Sequence, residues 1–281
     1  MSACGLAFAR RHASAKRQGK RTPEGSRPVK ITLLPSSFGA DARQHLTSYL
    51  VNGSVAIDAG SLGLYQTPAE QAAVRHVFVS HTHLDHWATL PVFLINVFDM
   101  GGAPVTLHAS EIVLESLRQD VFNGRVWPKF LEMTHEGRRF VNVNTIAAGQ
   151  TVQVEGLRIT LVAVDHVVPT LGFILEDNAA AVVIPSDTAA TTEIWQRADL
   201  TPNLKAVFLE ATLPNNLAGL ADVTKHLTPA GFVKEMQKVS RPVTFFAVHL
   251  SARAKDQVAA ELLAHRLPNL KIADFGKAYE F

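Results

Sequence analysis

Six consecutive residues, His81-Thr82-His83-Leu84-Asp85-His86, place four metal-type donors directly behind the apolar run His76–Ser80. Side chains two apart in an extended chain point the same way, so His81 and His83 can converge on one point. Asp85 and His86 fall where the chain turns toward a helix, which aims them at a second point nearby. Imidazole and carboxylate donors together suit Zn2+ or a similar first-row divalent ion. A single histidine here would read as part of a solvated polar loop. This density of donors after a buried strand reads as a metal site.

A two-metal site needs further donors, and three more sit at the ends of apolar strands. His166 follows the stretch 157–164, Asp187 closes Val183-Ile184-Pro185-Ser186-Asp187, and His249 follows Val243–Val248. Each alone is an ordinary core or surface residue. Together the seven divide into His81, His83 and His166 for one ion and Asp85, His86 and His249 for the other, with Asp187 bridging. Two such cations can hold a bridging hydroxide at neutral pH, because coordination strongly lowers the pKa of water, and the chemistry is then hydrolysis.

The elements that must carry these donors are short. Strands are expected at Lys30–Leu34, Ser48–Val51, Val55–Asp58, His76–Ser80 and Val105–His108. More follow at Thr151–Val154, Leu157–Val164, Gly172–Leu175, Ala181–Ile184, Lys205–Leu209, Val243–Val248 and Lys271–Ala273. Helices are expected through about Phe98 and over 110–120, 189–197, 229–238 and 254–265. Thr67-Pro68-Ala69-Glu70 and Thr228-Pro229 carry the cap-then-proline signature of a helix start. Many short strands with helices in both halves suit an α/β fold of two sheets packed face to face with helices outside. Periodicity alone does not separate this from other α/β layouts.

Composition narrows the field. The chain has 281 residues, 47% apolar and 19% charged, an ordinary globular mixture. No apolar run reaches the roughly 18 residues of a membrane span. Cys4 is the sole cysteine, which excludes an internal disulfide and a thiolate-rich metal site. In the first 30 residues Arg10, Arg11, Lys16, Arg17, Lys20, Arg21, Arg27 and Lys30 face only Glu24. That local charge of +7 leaves −5 for the rest of a chain whose total is +2. Residues 1–28 are therefore expected to be a basic, disordered tail, with a nucleic-acid arm or a targeting segment as alternatives. Residues 29–281 are expected to form the hydrolase domain. A cytoplasmic location is the default, and the acidic body argues against a nucleic-acid polymer as main ligand.

With these residues in view, the chain resembles the metallo-β-lactamase superfamily. The pattern HxHxDH, later His, Asp and His is similar to that superfamily's two-metal set, and Val55-Ala56-Ile57-Asp58-Ala59-Gly60 resembles its first motif. Within the superfamily the chain most resembles the class II cyclic-nucleotide phosphodiesterases. Carrying that likeness are Leu90-Pro91, Leu117-Arg118, Val121-Phe122-Asn123-Gly124, Val126-Trp127-Pro128, Pro185-Ser186-Asp187-Thr188, and Glu210-Ala211-Thr212 through Thr228-Pro229. Ala88 and Ala189 stand where that family usually has glycine.

The resemblance implies a four-layer αββα sandwich and two Zn2+ ions, with Asp58 supporting the metal site from behind. It implies conversion of 3′,5′-cyclic AMP to 5′-AMP through attack of a metal-bridging hydroxide. His226 is then the candidate proton donor to the leaving 3′ oxygen, with Glu210 orienting it. Asp85 counts among the catalytic residues as well as the ligands. Phe122, Asn123 and Trp127 are candidates to hold the purine by stacking and edge contacts, or else pack a helix end. The superfamily also holds tRNA 3′-processing nucleases and lactone or thioester hydrolases. The bacterial nucleases usually carry a long arm for which the span His166 to Asp187 leaves no room. A non-catalytic cyclic-nucleotide sensor is the non-enzymatic alternative. A homodimer is suggested by analogy alone.

Overall fold

The computed structural model describes residues 28–36, 45–98 and 102–281. The basic tail, apart from Pro28, lies outside the described residues.

The first half runs β1 (Lys30–Leu33), β2 (Tyr49–Val51), β3 (Val55–Ile57), α1 (Pro68–Gln71), β4 (His76–Val79), α2 (Leu90–Phe98), β5 (Val105–Ala109) and α3 (Glu111–Ser116). It closes with a small hairpin, β6 (Thr134–His135) and β7 (Arg138–Arg139), and β8 (Val141–Thr145). The second half runs β9 (Thr151–Val154), β10 (Leu157–Val164), β11 (Thr170–Glu176), β12 (Ala181–Ser186), α4 (Glu193–Leu200) and β13 (Leu204–Glu210). It continues with α5 (Ala218–Thr224), α6 (Pro229–Met236), β14 (Thr244–Val248), α7 (Lys255–Ala264), β15 (Leu270–Ile272) and β16 (Ala278–Glu280).

Two seven-stranded mixed sheets result, in the orders β16-β1-β2-β3-β4-β5-β8 and β15-β14-β13-β12-β11-β10-β9. The last strand returns to pair antiparallel with β1, so the C-terminal segment belongs to the first sheet.

Strand alternation sorts side chains into layers. In β4, Phe78 enters the core between the sheets with Ile31, Ile57, Phe173 and Phe208. Its neighbours Val77 and Val79 face outward under Phe93 and Leu94 of α2 and Val113 of α3. In β13, Phe208 faces inward, while Val207 and Leu209 pack beneath Trp195 of α4, Phe232 of α6 and Leu262 of α7. Two outer apolar layers and one inner layer make the αββα sandwich.

Local signals hold where caps were legible. Thr67 and Glu70 form a full capping box on α1, and Thr228 caps α6 through Gly231 N–H. The helix expected over 110–120 ends at Ser116 and continues as a wider turn, Leu117–Val121, in which Phe122 N–H donates to Leu117 O. The strand β8, the β6–β7 hairpin, α5 and β16 are additions to the elements that the sequence predicts. Among the described residues no helix is long and apolar enough to cross a membrane.

Candidate metal centre and active site

The site forms where strands end. Asp58 follows β3, Ser80 and His81 follow β4, His166 follows β10, Asp187 follows β12, Glu210 closes β13 and His249 follows β14. The chain must leave its sheet sharply at these points, and three of them adopt left-handed backbone. Asp58 has φ 60°, Ser186 has φ 63° and His249 has φ 53°, a costly conformation for residues other than glycine that clusters at functional sites. Gly60 meets a different demand. A Cβ there would lie 1.9 Å from the carbonyl oxygen of Asp85, so only glycine lets the His81–His86 loop seat against residues 58–60. Backbone bonds from Ala59 N–H to His86 O (2.7 Å) and Thr47 N–H to Asp85 O (2.9 Å) fasten that seat.

The seven expected donors come together. His81, His83, His166 and Asp187 form one group, and Asp85, His86, Asp187 and His249 form a second, with the donor atoms of each group within 4.8 Å of one another. Asp187 belongs to both. His83 Nδ1 lies 3.2 Å from His166 Nε2, and His249 Nε2 lies 3.1 Å from Asp85 Oδ2.

The donor set fits divalent cations. His81 Nε2 and His86 Nε2 are buried without a hydrogen-bond partner, which is costly for lone pairs that have no cation to meet. Both face Asp187 Oδ2, at 3.8 and 3.2 Å. The electrostatics agree. Burial, reinforced by His86, pushes His81 down to about 2, so that ring is a neutral donor. Burial opposes charge on His249, yet Asp187 and Asp85 lift it to about 9. Asp187 stays well below the usual carboxylate range despite its burial, because His249 and His86 face it. Carboxylates that draw protons onto neighbouring imidazoles mark places where cations are favoured.

Behind the donors stand two carboxylate relays. In the first, Asp58 Oδ2 accepts from His86 Nδ1 (2.7 Å) and from Ser80 Oγ (2.9 Å), and Asp58 Oδ1 accepts from Ser80 N–H (2.8 Å). Ser80 Oγ in turn lies 2.9 Å from His81 Nδ1. In the second, Glu210 Oε1 lies 2.7 Å from His226 Nδ1, and Glu210 Oε2 accepts from Thr212 Oγ1 at 2.6 Å. Thr212 Oγ1 then lies 2.9 Å from His249 Nδ1. Glu210 raises the pKa of His226 against the effect of its burial. The His226 ring sits 5.0 Å from that of His166 and 5.7 Å from that of His249, at the edge of both metal-donor groups.

Ser80, Thr212 and the Lys225 carbonyl, which lies 3.0 Å from His166 Nδ1, escaped the sequence reading. Their signal was adjacency: Ser80 precedes His81, and Thr212 lies two residues beyond Glu210 in extended chain.

The three purine candidates are built differently. Phe122 is buried and stacks on Phe130 with centroids 5.8 Å apart, which leaves it no free face for a base. Asn123 spends its amide within its own turn, accepting from Arg125 N–H and Val126 N–H and donating to Gln119 O. Trp127 is half-buried against the outer core of the first sheet, its indole N–H without a partner.

Residues 48–250 match the family described as the Beta-lactamase superfamily domain. A probable 3′,5′-cyclic-nucleotide phosphodiesterase of Yersinia pestis is 24% identical over 189 residues, 60% of this chain and 52% of that protein. A ribonuclease Z of Kineococcus radiotolerans is 34% identical over 107 residues, 38% of this chain and 32% of that protein. The chain thus spans about half or less of the length of these curated relatives. Among solved structures, unliganded yeast PDE1 superposes with a TM-score of 0.74 at 14% identity, over 91% of this chain and 100% of that one. With its two seven-stranded sheets, its strand-end histidines and aspartates and a family match over most of its length, the chain belongs to the β-lactamase superfamily and has the metallo-β-lactamase fold.

Proposed function

We propose that this protein hydrolyses a phosphodiester, with 3′,5′-cyclic AMP as substrate and 5′-AMP as product. The observation that carries this is the Glu210–His226 pair beside the two metal-donor groups. A phosphodiester expels an alkoxide, which needs a proton, and His226 stands ready to give one. A thioester hydrolase expels a thiolate, a far weaker base than an alkoxide, and has less use for a dedicated acid held by a buried glutamate. The two curated relatives are named a cyclic-nucleotide phosphodiesterase and a ribonuclease, and both names denote phosphodiester cleavage.

In this reading His81, His83 and His166 would hold one ion and Asp85, His86 and His249 the other, with Asp187 available to both. Two Zn2+ ions bound there would supply a nucleophile at neutral pH and neutralise the phosphoryl oxygens. The remaining chemistry belongs to side chains. Glu210 holds the Nδ1 proton of His226 and fixes its ring, and His226 Nε2 donates to the departing 3′ oxygen. Asp58, out of contact with solvent, keeps His86 oriented. A cavity of about 210 Å³ opens beside Asp85 and His249, with Thr47, Ser251, Tyr49 and Phe275 in its wall, and suits the nucleoside part of a small substrate. Phe122, Asn123 and Trp127 are not among the residues lining this cavity.

RNA processing is the second reading, favoured by the ribonuclease Z relative. Against it, the chain between His166 and Asp187 is taken up by β11 and β12, paired antiparallel around a short turn, with no inserted arm.

A substrate panel tests the proposal: cyclic AMP, cyclic GMP, an aryl phosphodiester, precursor tRNA and a lactone. Turnover of cyclic AMP above the others is expected. Turnover of precursor tRNA with none of cyclic AMP reverses the ranking, and turnover of the lactone alone removes phosphodiester chemistry altogether.

A further inference from the structure

We infer that Thr212 is a positioning residue that ties the acid and a metal donor to one carboxylate; this rests on the phosphodiesterase reading for His226 and goes beyond it. A threonine hydroxyl has a single proton. At 2.6 Å from Glu210 Oε2, a charged acceptor, that proton is committed to the carboxylate. The oxygen of Thr212 is then an acceptor only, and the group it meets at 2.9 Å is His249 Nδ1. His249 therefore donates from Nδ1 to this oxygen, and Nε2, which faces Asp85 and Asp187 at 3.1 and 3.7 Å, is the nitrogen left for a metal. This is the tautomer a metal donor needs.

The same glutamate settles the second ring. His226 Nδ1 is 2.7 Å from Glu210 Oε1 and 3.3 Å from Thr212 Oγ1, so Nδ1–H donates to the carboxylate and Nε2 is the nitrogen that carries the proton to be delivered. Glu210 is held in turn by the backbone N–H groups of Thr188, Thr212 and Leu227, at 3.2, 3.1 and 3.2 Å. One rigid carboxylate thus orients a donor ring directly and a metal-site ring through a hydroxyl. Remove the hydroxyl and His249 Nδ1–H is left without its acceptor while Glu210 loses its shortest bond.

The Ser80 relay provides the internal control. It has the same wiring but joins His86 and His81, one proposed donor from each metal group, and touches no acid. The two hydroxyls should therefore fail differently.

The experiment compares Thr212→Val, Thr212→Ser and Ser80→Ala. Zn2+ affinity is read by chelator competition and by the visible spectrum of Co2+-loaded protein, and kcat and KM are read at saturating Zn2+. Thr212→Val should weaken the weaker of two Zn2+ affinities by about 10-fold to 100-fold. It should also lower kcat by about 10-fold or more with KM within about 2-fold, and shift the Co2+ spectrum. Thr212→Ser should restore all three. Ser80→Ala should weaken metal binding, with kcat recovering further at saturating Zn2+ than it does in Thr212→Val. Overturning results are a Thr212→Val protein that keeps native affinity and spectrum, or a Thr212→Ser protein as impaired as Thr212→Val, which would make the methyl packing the cause. If the unaltered protein turns over no phosphodiester, the functional reading fails, and the affinity and spectral comparisons alone decide whether Thr212 positions His249.

Discussion

The two relays behind the site share a circuit and differ in their contact with solvent. In the N-terminal half, Asp58, His86 and His81 are sealed, with side-chain exposures of 0% for all three. In the C-terminal half Glu210 is nearly as buried at 1%, but His226 and His249 keep 14% and 16%. A carboxylate, a hydroxyl and two imidazoles therefore serve different ends according to where water can reach. The sealed relay can only fix donor geometry. The open one faces the cavity beside Asp85 and His249, where a substrate can arrive and a proton can be delivered.

The sharpest way to separate the halves is to remove one histidine from each. His226→Ala should lower kcat by about 100-fold to 10,000-fold while leaving two metal ions per chain, as measured by activity alongside elemental analysis. His86→Ala should lose at least one of the two. A His226→Ala protein depleted of metal would mean that the open half is structural after all.

The carboxylates come next. Asp58→Ala strands Ser80 N–H, Ser80 Oγ and His86 Nδ1 in a dry environment and should destabilise the fold by about 3 kcal/mol, read by urea unfolding. Glu210→Gln keeps the shape and one acceptor oxygen, so it should cost stability less than kcat. Equal losses of stability in the two variants would erase the contrast between a sealed and a working relay.

Gly60→Ala tests the loop seat of the N-terminal half. The intruding Cβ should displace the His81–His86 loop and cost about 1–3 kcal/mol, with weakened Zn2+ binding. Unchanged stability and metal affinity would show that the loop has slack.

The smallest effect expected is a pH dependence in the sheet behind that loop. His76 Nδ1 lies 3.0 Å from His108 Nε2, and burial lowers both rings, His108 to about 4. A folded pKa below the unfolded value near 6.5 means the unfolded chain binds more protons. Stability from this pair is then complete above about pH 6.5 and is lost as pH falls toward 4. His108→Gln should flatten that slope in acid unfolding curves, and an unaltered slope would assign it elsewhere.

What could be read in advance follows the same divide between donors and the groups that hold them. His166, Asp187 and His249 were legible because each ends an apolar strand, whereas the αββα layering came from the family resemblance, since strands such as β4 and β13 are apolar on both faces. Ser80 and Thr212 were not, since a hydroxyl beside a motif looks like any other until its distances are known. Phe122 misled because an aromatic beside Asn123-Gly124 reads equally as a stacking platform or a buried helix end, and burial decides. The strand β8 has the alternating pattern Val141-Asn142-Val143-Asn144, yet α5 and β16 have only seven and three residues, too short for periodicity to register.

Native mass spectrometry of metal-free protein titrated with Zn2+ tests the central claim most directly. Saturation at two ions per chain is predicted, falling to at most one in His249→Ala. Saturation of active protein at one ion, or two ions still held by His249→Ala, would contradict a centre in which Asp187 joins two metal groups.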